Sequence, residues 1–416
     1  MRARRGRLPL LIILRCAALL VFLGAALVAQ AREMPCRRGM SDGVYPCRNV
    51  NLQARLALND FPGRPERAGN LWGYSDPKDG REYALVGLSN GTAVVEISEP
   101  TAPRIVGLVA ALSSSFREPR VYAYLNKRGQ RGAVAYVATE ASGSGLQVID
   151  LSRLPDSVRL ARVDRDIDTA HTLHVSNVDP ATGLAVDGLA PALYAQGIRP
   201  GIGLAAFSLR RPKNPRRLGT YADNYVHDIY AHRFSGGRAG QCAADHDPCE
   251  VVFAWCGNDV RVIDFTDKRA PVLLSQFVYP GLAYAHSGWI SRDQQYLFNF
   301  DEGDEFVSGQ LTRILTLSIA DLRALSVAAA WTGPDRSTEH NGYVVGDKLY
   351  VSHYSRGLVI FDVAQPTELR EIAHFDTYPA DNSTSAPGAW GVYPFLPSGT
   401  ILVSDIQRGL FILREK

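Results

Sequence analysis

The sequence predicts an all-β fold: a seven-bladed β-propeller of four-stranded blades, closed by an N-terminal strand. Three observations predict it. First, a phrase of the form Gly-Leu-x-x-x-Asp recurs, as "GLQVIDLSRL" from Gly145, "DVRVIDFTDK" from Asp259 and "GLVIFDVAQP" from Gly357, with looser copies from Gly91, Gly203, Leu311 and Gly409. The sixth positions of these copies are Glu96, Asp150, Ser208, Asp264, Thr316, Asp362 and Arg414. They stand about fifty residues apart, the mark of a repeat architecture. Second, each unit alternates apolar and polar residues, the period of half-buried strands. Third, the last copy ends at "FILREK" with no fourth strand, while "NVNLQARLALNDF" (49–61) reads as a strand without a unit of its own. Placed in the seventh unit, it pairs edges that would otherwise stay open. A solenoid would instead need atypical capping repeats at both ends.

The elements follow in chain order. Residues 1–31 begin "MRARRGR", run through "CAALLVFLGAALV" and reach Ala29-Gln30-Ala31. The apolar run is short for a bilayer span, and the small-x-small ending reads as a signal peptide cut after Ala31. The alternative is an uncleaved N-terminal anchor. Residues 32–48 form a disulfide segment in which Cys36 pairs with Cys47, as an exported chain favours. The propeller occupies 49–416. Within a unit, "HNGYVVGDKLYVSHY" places Gly346-Asp347 between two strands, a tight hairpin signal. After the Asp strand a Pro-containing step, as in "EPTAPRIVGLV" and "DKRAPVLLSQFV", leads into a fourth strand. Four antiparallel strands per unit is the grammar of a propeller blade. Cys242, Cys249 and Cys256 admit a zinc knot with His246 or a Cys242–Cys249 disulfide beside a buried Cys256 thiol. The second is preferred, because the paired short spacing of a structural zinc site is absent.

Hydrophobic residues make up 46% and charged residues 21% of the chain, enough apolar material for a large core. The formal charge of +3 includes the arginines of the leader, so the mature chain is near neutral and nucleic acid is not an expected partner. No later stretch is apolar enough to span a membrane. The mature chain is expected to be a secreted, periplasmic or extracellular monomer whose partner is a protein or a small-molecule ligand.

"LQVIDLS" and "VRVIDFT" resemble LVIVD repeats. The longer strings "WGYSDPKDGREYALVGLSNGTAVVEIS", "AHSGWISRDQQYLFNFDEGDE" and "GAWGVYPFLPSGTILVSDIQRGLF" are similar to the choice-of-anchor B family of exported bacterial propellers, over most of the span from Cys36 to Leu413. That resemblance implies an exported propeller with no established activity and, in many members, a C-terminal anchoring tail. Where the family pattern has Trp-Arg-Asp, this chain has Phe116, Arg117 and Glu118.

A second regularity concerns chemistry. Each unit opens its innermost strand with a distinctive residue: Trp72, Phe116-Arg117, His171, His227, His286, His340 and Trp390. Four successive units thus present a histidine at one topological place, expected to face one end of the central channel. Asp228, Glu339, Asp301, Glu302, Asp304 and Glu305 lie close in sequence. Two readings stand side by side. In one, each imidazole donates to a backbone carbonyl of the next blade and locks the inner ring. In the other, His171, His227, His286 and His340 hold a divalent metal ion, for which imidazole and carboxylate are good ligands. The function expected first is a binding module with its site at the channel mouth or loop face, which Trp72, Arg117 and Trp390 would share. The alternative is a metal-dependent hydrolase, with Asp228 or Glu339 as base for a metal-activated water. Asp150, Asp264 and Asp362 precede turns and read as acceptors of local backbone N–H groups. The run "DEGDE" (301–305) lacks the spaced ligands of an EF-hand and reads as a solvated or channel-facing turn. Nucleophile elbows, His-Glu-x-x-His and phosphate-binding loops are absent from the sequence.

Overall fold

The computed structural model describes residues 32–416 apart from 127, 187–188, 199–202, 244–245, 382–383 and 385–386. The expected signal peptide therefore lies outside the described residues. The described chain is a ring of seven antiparallel four-stranded blades, as the repeat predicts. The innermost strands are Ala68–Ser75, Arg117–Leu125, Thr172–Ser176, Asp228–Phe234, Ala285–Ile290, Glu339–Val345 and Ala389–Tyr393. Each packs against the next, and the last packs against the first.

The closing strand is Val50–Leu56, which pairs antiparallel with Gly409–Glu415 and completes the seventh blade. The repeated Arg-Gly-Leu turn shows why that position is equivalent to an ordinary fourth strand. Gly357 has φ +81°, and a Cβ there would collide with the Phe375 carbonyl of its own outer strand. Gly409 has φ +92°, and its Cβ would collide with the Leu56 carbonyl of the N-terminal strand. The same crowding at the same turn demands glycine twice, because the left-handed region and close backbone approach both exclude a side chain. Leu56 thus does for the seventh blade what Phe375 does for the sixth.

The segment before the closing strand also joins a sheet. A hairpin of Met40–Ser41 and Tyr45–Arg48 adds to the outer strand Arg370–Phe375 of the sixth blade, so the N-terminal segment bridges blades six and seven. Cys36–Cys47 holds this hairpin, and Tyr45 packs edge-on against Phe411. Cys242 and Cys249 form the second disulfide, and Cys256 is a buried free thiol. The repeat aspartates serve their turns: Asp150 accepts from Ser152 and Asp264 from Thr266, each from both backbone N–H and hydroxyl, and Asp362 accepts from the Ala364 N–H.

Candidate ligand site at the channel mouth

The inner strands carry ordered layers of side chains down the channel. At their N-terminal ends six rings form a closed circle. His171–His227, His227–His286 and His286–His340 lie 4.3, 4.4 and 4.5 Å apart between centroids. Trp390 follows His340 at 4.6 Å, Phe116 follows Trp390 at 5.1 Å, and Phe116 returns to His171 at 5.4 Å. Blades two to seven therefore supply this circle. Blade one does not. Its inner strand has Gly69 and Asn70 at the matching irregularity of pairing, and Trp72 lies one layer deeper. The expectation for Trp72 is corrected accordingly: its ring meets Tyr343 and Tyr393, and Arg120 stacks over it at 4.2 Å. An aromatic three residues further along each of several strands, rather than the opening residue, was the pattern it obeyed. Arg117 is buried, donates from Nε to the Leu88 carbonyl and lines the small cavity at the ring.

The blade-to-blade hydrogen bonds divide the four histidines. The His227 carbonyl accepts from the Thr172 hydroxyl at 2.7 Å, and the His340 carbonyl accepts from the Ser287 hydroxyl at 2.7 Å. The His286 carbonyl faces His227 Nδ1 at 3.2 Å, and the Trp390 carbonyl faces His340 Nδ1 at 2.6 Å. Hydroxyl and imidazole locks thus alternate around the ring. His227 and His340 are locks, as one reading expects, and this geometry puts their proton on Nδ1 and leaves a lone pair on Nε2. His171 is not, and His286 only approaches the His340 carbonyl that the Ser287 hydroxyl already fills. His171 Nδ1 meets Glu140 at 2.8 Å, and His286 Nδ1 has no close hydrogen-bond partner among the described residues.

Glu302 stands over this ring. Its carboxylate lies 3.5 Å from His286 Nε2 and 3.7 Å from His340 Nε2, and it accepts from the Tyr354 hydroxyl. One donor atom each from His227, His286 and Glu302 falls within 4.8 Å of the others, a spacing a single ion can bridge. Burial lowers His286 and His340 to about 3, and burial with neighbouring imidazoles holds His227 well below the usual range. These three rings are neutral at pH 7, the form that ligates metals. His171 differs. Burial presses it down, but its hydrogen bond to Glu140 and the charges of Glu140, Glu302 and Glu118 leave it raised.

Beneath the rings lies a polar layer that includes Asn70, Glu118, Thr172, Asp228, Ser287 and Asn341. A cavity of about 10 Å³ opens between the two layers, room for one water or one ion. Glu118 pairs with Arg120, yet burial raises it to about 7. Asp228 is raised to about 6, by burial against the pull of Arg120. Of the two expected bases, Asp228 is in this lower layer. Glu339 is not at the ring: its carboxylate accepts from the Asp301 N–H and the Thr312 hydroxyl and clusters with Asp304 and Glu305. Strand alternation turns Glu339 and His340 to different sides, which adjacency in sequence concealed. "DEGDE" is likewise corrected, because Asp304 and Glu305 are buried in a short helical turn, Asp304–Ser308. Glu118 and Glu140 are the site residues that sequence reasoning did not single out. Glu118 was visible only as a departure from a motif, and Glu140 carried no signal.

The other end of the channel is different in kind. The loop after Thr172–Ser176 crosses it: Pro180, Ala181 and Gly183 carbonyls accept from Tyr393, Ser75 and Ala123. Beside that crossing a cavity of about 210 Å³ remains, walled by Trp72, Tyr230, Trp289, Arg120 and His174.

Residues 81–111 and 343–377 match the LVIVD repeat, in blades one and six. The chain is a seven-bladed propeller that carries LVIVD repeats in these two blades. No curated protein matches the sequence. Among solved structures, the propeller is similar to a Bacteroides uniformis protein named as a candidate 6-phosphogluconolactonase, at 11% identity and TM-score 0.50, covering 81% of this chain and 89% of that one. A Lactobacillus plantarum protein aligns at 16% identity and TM-score 0.46, over 75% of this chain and 83% of its own. At 11% identity the likeness to the Bacteroides uniformis protein speaks for the fold alone. Among the described residues no helix is long and apolar enough to cross a membrane.

Proposed function

We propose that this LVIVD-repeat propeller is an exported binding module of the choice-of-anchor B kind, with its ligand held at the imidazole-lined mouth. Export is supported by two disulfides, which persist in oxidising compartments. One observation carries the site. His286 is a buried, neutral imidazole whose Nδ1 makes no close hydrogen bond, with only a weak approach to the His340 carbonyl, and it turns Nε2 toward the Glu302 carboxylate. Buried polar groups are ordinarily satisfied, and one that is not calls for a role beyond packing. Lone pairs on neighbouring Nε2 atoms with a carboxylate above them fit a divalent transition metal ion, borderline-soft zinc foremost. Calorimetric titration of chelator-stripped protein with zinc tests this. About one equivalent should bind, and His286→Ala and Glu302→Gln should each abolish the heat. A parent protein that binds no zinc contradicts the proposal.

A second reading, a metal-dependent hydrolase, is favoured by the carboxyl of Glu118, raised to about 7 and lining the cavity under His171, His286 and His340. A group titrating near neutrality is suited to proton transfer. In that reading His227, His286 and Glu302 hold the metal, which supplies an activated water, and Glu118 takes the role expected of Glu339. Zinc-dependent turnover of chromogenic esters or phosphoesters that is lost in Glu118→Gln would establish it.

A further inference from the structure

Behind the imidazole ring, between blades five and six, lies a second cluster that the mouth does not use. Asp304 and Glu305 come from the helical turn Asp304–Ser308, which follows the second strand of blade five. Glu339 comes from the first residue of the inner strand of blade six. Their relative exposures are 0%, 2% and 0%, so none is solvated. One carboxylate oxygen from each lies within 4.8 Å of the others. Arg313 pairs with Asp304 at 3.1 Å and supplies one positive charge against three carboxyl groups. Asp301, next door, is no part of the deficit: it accepts from Tyr279, Ala283, Tyr284 and Gly303.

The hydrogen bonding is incomplete in one direction. Asp304 Oδ1, both carboxylate oxygens of Glu305 and the Thr338 hydroxyl oxygen are buried and find no close hydrogen-bond partner outside the cluster among the described residues, while inside it Glu305 approaches Glu339, Asp304 and the Thr338 hydroxyl. All of these atoms are oxygens. An unpaired buried carboxylate is costly, and such groups are normally paired or bound to metal.

We propose that Asp304, Glu305 and Glu339, with the Thr338 hydroxyl, form a calcium site that ties blade five to blade six. With all three ionised on binding, three carboxylates less one guanidinium leave a charge deficit of two, which a dication balances. An all-oxygen donor set selects a hard cation over zinc, and calcium tolerates irregular, carboxylate-rich geometry where magnesium demands a near-ideal octahedron. The site is independent of the mouth. Its ligands are oxygens from one turn and one strand start, and of the four imidazoles only His340 shares a strand with one of them, Glu339. Its effect would still reach the mouth, since Glu302 immediately precedes the turn that the ion would fix.

The test is thermal unfolding of the whole chain, stripped with chelator and then returned to millimolar calcium, magnesium or zinc, together with elemental analysis of untreated protein. Calcium at about a hundredfold excess over its Kd should raise Tm by about 3 °C in a chain of this size. Magnesium should do less. Glu305→Gln should lose the calcium shift, while His286→Ala should keep it, which separates this site from the zinc-binding mouth. Calcium in untreated protein at about one equivalent supports the proposal even if Glu305→Gln does not fold, and Glu339→Gln then serves as the second variant. A stripped protein whose Tm ignores calcium, or a Glu305→Gln variant that responds like its parent, overturns it.

Discussion

The imidazole ring and the carboxylate cluster are built from neighbouring residues of the same blades, yet they handle burial in opposite ways. Glu339 and His340 are consecutive, and so nearly are Glu302 and Asp304. At the ring, burial removes charge: His227, His286 and His340 are held far below the ordinary histidine range and stay neutral. In the cluster, burial pushes Asp304, Glu305 and Glu339 upward, repulsion from neighbouring carboxylates adds to it at Asp304 and Glu339, and hydrogen bonds within the cluster oppose it at Glu305, so ionisation there is penalised until a cation arrives. The ring is mostly satisfied by blade-to-blade hydrogen bonds. The cluster keeps oxygens unpaired. The difference teaches that a repeated position in a propeller solves a repeated packing problem first, and that function is written where the repeat leaves a group unsatisfied.

Substitutions of opposite sign would sharpen that contrast. In chelator-stripped protein, His227→Ala leaves the His286 carbonyl without its partner and should cost about 1–3 kcal/mol. His340→Ala should cost less in hydrogen bonding, because the Trp390 carbonyl keeps the Asn341 amide and the Ser352 hydroxyl. His286→Ala removes at most a weak approach to the His340 carbonyl, which keeps the Ser287 hydroxyl, and should be mildest in this respect. Glu305→Gln should instead stabilise the stripped protein, since it removes a penalised carboxylate. Chemical denaturation of the four variants measures all of this. Equal losses at every histidine, with Glu305→Gln also destabilising, would erase the distinction between ring and cluster.

A smaller effect separates the layers by pH. The Glu118 carboxyl is at about 7 in the fold against 4.5 ordinarily, so the native state holds its proton through that window while the unfolded chain releases it. Stability from this group is therefore present below about 4.5 and declines as pH rises toward 7. The neutral histidines act the other way: the unfolded chain gains their protons as pH falls below 6.5, so their contribution is lost toward acid. Glu118→Gln should flatten the alkaline-side decline and leave the acid-side loss in place. Stability profiles of parent and variant that superimpose between pH 4.5 and 7 would remove Glu118 from the account.

Much of the fold could be read from residues. The Gly-Leu-x-x-x-Asp spacing counted the blades, and the orphan strand at 49–61 announced the closure that Leu56 and Gly409 complete. Four histidines at one place in successive units pointed to the mouth. What could not be read was direction. Trp72 looks like an opening residue, but blade one meets the ring with Gly69 and Asn70, and only strand register reveals the offset. Glu339 stands beside His340 in sequence and faces the carboxylates instead. Glu140 reaches His171 from the hairpin of another blade, a contact between residues 31 apart that no local pattern encodes.

The central claim, that the ring of neutral imidazoles takes the ligand, meets its most direct test in X-ray absorption at the zinc edge. The sample is chain loaded with one equivalent of zinc in the presence of millimolar calcium, so that the carboxylate cluster is occupied by its harder ion. Imidazole scattering with Zn–N at about 2.0–2.1 Å is expected, lost in His286→Ala. A shell of oxygen ligands alone, or a spectrum unchanged by His286→Ala, would contradict it.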